Sequence, residues 1–425
     1  MAPGAQVVAA LARQGRWDTV SLTDRLAVAS GWSGPEEIAG VVGHLVGRWR
    51  REPTVPDDLF AAQVAELLAL PRRHLRVGAP PEPVWRWPVA RWTDVAMVAR
   101  GLHLDEGELA WFADTGGWLR HVPDGPLGHY RRRWTASRPG TPRLIEAPAP
   151  RLAELQRRLL RRVLDRIPVH PAAHGYVPGR GPRTLALLHA ARPMVLRLDL
   201  EGFFSHVTGA RIAGLLRTAG YPEAVATTLA GLLVTATPPA VLRACPPAAD
   251  PQPRRRLLDR LAAPHLPQGA PTSPAVANLL THRLDRRLSG LAAAVGARYG
   301  RYADDLVLSG AANLPVHGLA ARVAAIAREE GFRVRPGKTR IAPAHHRQRV
   351  TGLVVNSGSP AASRRDYDDL RALLHNAART GPAAQNRAGH PAFREHLAGR
   401  IAWVGGGRPR RAEVLRSLFD AICWD

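Results

Sequence analysis

Tyr302-Ala303-Asp304-Asp305 separates Arg298-Tyr299-Gly300-Arg301 from the apolar run Leu306-Val307-Leu308 and reads as strand, tight turn, strand. Two adjacent carboxylates at such a hairpin tip repel each other, and a cation is the usual reason to keep them together. A solvated Asp-Asp turn would show the same letters. A third carboxylate tips the balance. Met194-Val195-Leu196-Arg197-Leu198-Asp199-Leu200 is a short apolar run with Asp199 near its end, followed by Glu201-Gly202-Phe203-Phe204-Ser205, and reads as a buried strand ending in an acid. One Asp on a strand and two on a hairpin make the set that two-metal phosphoryl or nucleotidyl transfer needs, and hard oxygen ligands suit Mg²⁺.

The chain has 425 residues, long enough for two or three domains and a substantial core. Its 59 basic and 35 acidic residues give a formal charge of +24, so a polyanion is the expected partner and binding should depend steeply on salt. Charge alone leaves ribosomal and generic RNA-binding roles open; the carboxylate series speaks against a purely electrostatic one. Cys245 and Cys423 are the only cysteines and have no metal-ligand spacing, which points to a reducing compartment without structural zinc or disulfides. No apolar run reaches membrane-spanning length and the N-terminus has no signal-peptide pattern, so a soluble, cytoplasmic protein without a membrane partner is expected.

Residues 1–124 alternate helical-period stretches with Pro-rich breaks such as Gly78-Ala79-Pro80-Pro81-Glu82-Pro83, suggesting a small helical region with linkers. Trp85, Trp87 and Trp92 fit packing better than base stacking. The Pro- and Ala-rich interval 235–265 reads as a surface insertion, and Pro274 to Leu288 as a long helix after a turn at Gln268-Gly269. Helices are expected again over Asp366 to Arg379 and Arg410 to Ile422. The alternation across roughly 190–355 implies an α+β arrangement with helices on one face of an antiparallel sheet.

With these residues in view, the chain resembles a reverse transcriptase of the bacterial retron type, over roughly residues 125–425 and in the family's order. Arg143-Leu144-Ile145-Glu146-Ala147-Pro148 resembles the fingers segment and His174-Gly175-Tyr176-Val177 the turn after it. Asp199 through Phe204 is similar to the first catalytic palm motif, and Leu266-Pro267-Gln268-Gly269-Ala270-Pro271-Thr272-Ser273-Pro274 to the template- and nucleotide-contacting motif. Tyr302 to Asp305 resembles the metal-binding hairpin, Gly331-Phe332 with Gly337-Lys338-Thr339 the next palm motif, and Val350-Thr351-Gly352 the triplet that distinguishes retron enzymes. One departure stands out: where retron enzymes tend to carry Asn-Ala-x-x-His, this chain reads Leu185-Ala186-Leu187-Leu188-His189.

The resemblance implies a right-hand polymerase fold: an N-terminal helical region (1–124), fingers (125–193), a palm (194–356) interrupted by the 235–265 insertion, and a helical thumb (357–425). It implies two Mg²⁺ ions, replaceable by Mn²⁺, on Asp199, Asp304 and Asp305, with Asp305 the more peripheral. Phe204 takes the steric-gate position beneath the incoming sugar, with Phe203 the candidate if the faces are reversed. Gln268 suits the sugar or phosphate of the nucleotide, Gly269 admits close backbone approach, and Arg143 offers a fork for the triphosphate. Lys338 is the only lysine in the chain, every other basic residue counted being arginine. An ammonium can release a proton where a guanidinium cannot, so a general acid protonating pyrophosphate fits; chance survival at a surface turn is the plain alternative. RNA contacts are expected from His189, Val350, Thr351 and Gly352, and from Arg157 and Arg161, whose helix either lines a template-primer channel or is a solvated face.

The implied partners are deoxynucleoside triphosphates, a cognate structured noncoding RNA that also supplies a priming 2′-hydroxyl, the RNA–DNA product, and a defence effector protein in anti-phage immunity. A defence-associated or group II intron-derived reverse transcriptase is a close alternative; the lack of a recognisable endonuclease module speaks against a mobile intron protein. A catalytically idle RNA-binding scaffold is the alternative of another class, disfavoured because gripping phosphate calls for positive charge and not for clustered acids.

Overall fold

The computed structural model describes residues 4–424 except 30–31, 33–34, 50–51, 70–82, 115, 120–121, 123–124, 126, 136–141 and 249, so most of the Pro-rich Gly78–Pro83 break lies outside the described residues. The chain forms two compact units, Met1–Pro83 and Val84–Asp425. The smaller is helical, with Ala5–Ala12, Thr19–Ala27, Pro35–Arg48 and Asp57–Leu68 closing over Val8, Leu22, Leu26, Val41, Leu45, Phe60 and Val64. Asp18 starts its second helix by accepting the Ser21 amide, satisfying an N–H that the first turn leaves over. Residues 84–113 belong to the larger unit: Trp92, Val98, Leu102, Leu109 and Phe112 enter its core, and Trp85 packs edge-on against Tyr221.

In the larger unit, strands β1 (Tyr130–Thr135) and β2 (Arg143–Pro148) form an antiparallel pair. Strands β3 (Met194–Asp199), β4 (Arg298–Tyr302), β5 (Asp305–Gly310) and β6 (Arg340–Pro343) make an antiparallel sheet in the order β4-β5-β3-β6. Successive side chains on a strand point to opposite faces, and here both faces are covered. Leu196, Leu198, Leu306 and Leu308 join the main core with the helices Ser273–Leu280, His282–Ala294 and Val316–Glu329. Val195 and Val307 face the other way, against Leu185, Ala186, Val350, Leu353 and Val355. Helices were expected on one face of an antiparallel sheet; the three long helices do lie on one face, and a smaller cluster that includes the Pro182–Leu188 helix covers the second.

That cluster is closed by strands β7 (Arg349–Val350) and β8 (Leu353–Val354), whose two-residue loop has both φ angles positive, 48° at Thr351 and 87° at Gly352, as a type I′ hairpin requires. The interval expected as a surface insertion lies largely exposed and is anchored to the unit at a few buried positions. Pro239–Arg243 and Pro251–Ala262 are helices, Cys245 and Leu261 are buried, and Thr235 and His265 exchange backbone hydrogen bonds at 2.9 Å to close the base. C-terminal helices Arg364–Thr380, Phe393–Gly405 and Pro409–Asp420 enclose Leu370, Leu374, Leu397, Ile401, Val404 and Leu415. Among the described residues, no helix is long and apolar enough to cross a membrane.

Candidate active site

Strand pairing brings the three acids together. Asp199 ends β3 directly opposite Asp305, the first residue of β5, and Asp304 occupies the two-residue turn between Tyr302 and Asp305. Ala303 takes φ 53° there, a left-handed conformation that costs a non-glycine residue energy. Burial, then the Asp199 carboxylate, push the Asp304 carboxyl up to about 6, with Asp305 adding to the rise and Arg143 opposing it. Asp305 is also raised by burial, partly offset by Arg197, whose Nη2 lies 3.2 Å from Asp305 Oδ2.

Asp199 is almost fully buried and sits between Lys338 Nζ, 3.2 Å from Oδ1, and Arg335 Nε, 3.2 Å from Oδ2. The Arg335 contact has ion-pair distance without hydrogen-bond geometry, so Asp199 Oδ2 has no hydrogen bond. Among the described residues none forms an ion pair with Asp304. No group of three or more His, Cys, Asp or Glu among those residues closes to a finished metal cage. The donors nevertheless suit a hard divalent cation: three carboxylates on adjoining strands, one resisting ionisation and one with a buried oxygen lacking a hydrogen bond.

A cleft of about 220 Å³ opens beside Asp304, lined among others by Arg143, Phe204, Gln268, Arg260 and His265. Phe203 and Phe204 both line the cleft, but Phe203 is buried and packs on Phe332 with ring centroids 5.9 Å apart, whereas Phe204 is half-buried, which favours Phe204 as the residue facing a ligand. The Gln268 carbonyl accepts the Glu146 amide at 2.8 Å, joining this motif to β2. Gly269 has φ 136°, and a Cβ there would meet the Glu146 carbonyl oxygen at 3.0 Å, so both conformation and close approach call for glycine.

The residues expected to touch RNA divide. His189 is fully buried, with Nδ1 2.7 Å from Ser309 Oγ, and burial pulls its pKa down to about 3. Val350 is fully buried as well, so both serve packing in place of the expected contact. Leu185, where the family's Asn was expected, lies in that same apolar cluster. Gly352 is exposed beside Trp403, while the Thr351 hydroxyl already donates to the Pro182 carbonyl at 2.8 Å. Arg157 and Arg161 are exposed and each lies 3.7 Å from Glu154; they are not in the cleft lining.

Sequence reasoning missed three groups. Glu146 is buried against His265 Nε2 (2.7 Å), Arg132 Nε (3.2 Å) and Thr237 Oγ1 (2.9 Å); burial would raise its pKa, but these partners bring it below the usual range. Glu201 is held by Arg256 and Arg260 from the Pro251–Ala262 helix. Asp285 and Arg301 form a fully buried ion pair. Glu146 alternates inward with Leu144, and Arg301 with Tyr299, so a charged residue on the apolar phase of a strand was the available signal.

A family model for reverse transcriptase (RNA-dependent DNA polymerase) matches residues 134–355. The chain is 39% identical over 351 residues to the retron Mx65 reverse transcriptase of Myxococcus xanthus, covering 81% of this chain and 75% of that protein. It is 40% identical over 341 residues to the retron Mx162 reverse transcriptase of the same organism, covering 76% of this chain and 66% of the other. With the retron Ec86 reverse transcriptase of Escherichia coli it shares 30% identity over 234 residues, 55% of this chain and 65% of that one.

Proposed function

Because this chain belongs to the retron reverse transcriptases, and is therefore an RNA-directed DNA polymerase of right-hand fold, we propose that it copies a cognate structured noncoding RNA by two-metal nucleotidyl transfer. The carrying observation is the cross-strand pairing of Asp199 with Asp305 beside an Asp304 whose carboxyl is raised to about 6. Asp199, Asp304 and Asp305 would hold two Mg²⁺ ions, or Mn²⁺ in their place. Bound there, the cations supply the Lewis acidity that activates the attacking hydroxyl and stabilises the in-line displacement.

The chain's own residues do the rest. Arg143 and Gln268 bind the triphosphate and sugar of a deoxynucleotide in the cleft they line, with Gly269 keeping the backbone close. Phe204 stands below C2′ and excludes a 2′-hydroxyl. Lys338, within reach of Asp199, gives its proton to the leaving pyrophosphate; with a nucleotide bound its ammonium would exchange a carboxylate for phosphate. The exposed Gly352 and the Thr351 hydroxyl oxygen, still able to accept, face the RNA with the arginines beyond Asn356, and Arg157 and Arg161 extend the basic surface.

In this reading 125–193 act as fingers, 194–356 as palm and 357–425 as thumb. The reaction runs in the cytoplasm, the cognate RNA supplies the priming 2′-hydroxyl, and the RNA–DNA product acts with an effector protein in anti-phage defence. Sequencing the nucleic acid that co-purifies with the protein tests this. One discrete RNA–DNA hybrid is expected; heterogeneous RNA without linked DNA would count against it.

A further inference from the structure

The Asp304 turn rests on a polar cluster that the polymerase chemistry does not itself use. Arg301, Asp285 and Asn278 are buried almost completely, and Tyr299 lies with them. Arg301 Nε and Nη2 donate to the two oxygens of Asp285 at 2.8 and 2.7 Å, and the Tyr299 hydroxyl donates to Asp285 Oδ1 at 2.7 Å. The remaining guanidinium nitrogen, Nη1, is shared between Asn278 Oδ1 at 3.0 Å and the Ala303 carbonyl at 3.1 Å. The Arg301 guanidinium carbon also sits 5.8 Å from the Phe203 ring centroid, tying the cluster to the segment that carries Phe204.

We propose that Arg301 is a positioning residue: its guanidinium, oriented by Asp285 and Asn278, holds the Ala303 carbonyl and thereby keeps the left-handed backbone that turns Asp304 toward Asp199. The inference rests on the reading of Asp304 as a cation ligand. Several observations converge on it. A buried ion pair is a poor way to stabilise a core, since apolar residues of the same volume do as well or better, so its worth lies in geometry. Only a planar fork can grip both oxygens of Asp285 and still present a third nitrogen to a carbonyl, which a lysine cannot do.

Ala303 gains nothing from being alanine at φ 53°, where glycine would sit without penalty, so an outside hold is needed to keep the turn. The hold is two-sided. Arg301 fixes the carbonyl of Ala303, and the Leu200 amide fixes that of Asp304 at 2.9 Å. From beneath, Asn278 Nδ2 donates to the Gly175 carbonyl at 2.8 Å, and a Cβ on Gly175 would meet the Ala303 nitrogen at 2.7 Å, so the chain on that side is pressed against the turn.

The test is Mn²⁺ binding to the full-length protein without nucleic acid, read from the electron paramagnetic resonance signal of free Mn²⁺, with circular dichroism confirming the fold. Arg301→Lys should weaken Mn²⁺ binding about tenfold, the scale of the left-handed backbone penalty once nothing offsets it. Adding Ala303→Gly to that variant should restore most of the affinity, because glycine needs no hold; Ala303→Gly alone should stay within about twofold of wild type. Should Arg301→Lys fail to fold, Asn278→Ala, which leaves the Arg301–Asp285 pair in place, should show a smaller loss with the same recovery. Wild-type affinity in a folded Arg301→Lys protein, or a loss that Ala303→Gly leaves untouched, would overturn the proposal. If instead Asp304→Asn keeps wild-type Mn²⁺ affinity, the cation-ligand reading itself fails, so the two failures are distinguishable.

Discussion

Asp285 and Asp304 are both buried carboxylates in one unit of this protein, and their surroundings are opposite. Asp285 has an arginine fork on both oxygens and a tyrosine hydroxyl besides, so each of its lone-pair directions that matters is answered from within the protein. Asp304 sits beside two further aspartates, forms no ion pair among the described residues, and resists ionisation up to about pH 6. A carboxylate that serves structure is satisfied by the fold. One that serves chemistry is left short of positive charge, to be supplied from outside when the site is loaded.

The comparison is broken or sharpened first by activity. Asp304→Asn removes a ligand charge from a cluster whose other acids already have protein cations, and primer extension on an RNA template with Mg²⁺ should fall on the order of 10³-fold, the scale of losing a preorganised electrostatic contact. Retained extension would place Asp304 with Asp285 as a structural acid. Lys338→Arg comes next. It keeps the charge beside Asp199 but cannot release a proton, so single-turnover incorporation should slow about 10²-fold with nucleotide affinity little changed. A wild-type rate at every pH would leave Lys338 as a salt-bridge partner alone. Smallest is Phe204→Val, which should lower the preference for deoxy- over ribonucleotides about tenfold in kcat/KM. Phe203→Val, in the core, should cost stability and leave that preference in place.

How much was legible follows the range of the interactions. Asp199, Asp304 and Asp305 stood out because each interrupts or ends a short apolar run, and the continuous Leu306-Val307-Leu308 stretch held the hint of a sheet buried on both faces. The Asp199–Asp305 pairing was not legible, since it joins residues far apart in the chain. The Pro- and Ala-rich composition of 235–265 suggested a surface insertion and gave no sign of its two helices, because Pro239 and Pro251 each sit in a first helical turn, where a missing N–H costs nothing. His189 and Val350 were taken for RNA contacts from motif position, and only packing reveals that neither reaches the surface. Ala303 gave no sign of its positive φ because alanine is not a residue that turns of this kind select.

The most direct measurement sets the two acids side by side, as melting temperatures of Asp304→Asn and Asp285→Asn in metal-free buffer at pH 4 and pH 7.5. The folded-state pKa of Asp304, about 6, lies above its ordinary 3.8, so the stability linked to its proton is complete below about pH 4 and is lost as pH rises through 6. Asp304→Asn escapes that loss and should melt a few degrees above wild type at pH 7.5, with the gain disappearing at pH 4. Asp285→Asn strands a buried guanidinium, costs on the order of 3–5 kcal/mol, and should melt about ten degrees lower at pH 7.5. Opposite signs at pH 7.5 are the expected result; a lower melting temperature for both variants would contradict the distinction between a satisfied carboxylate and one held for a cation.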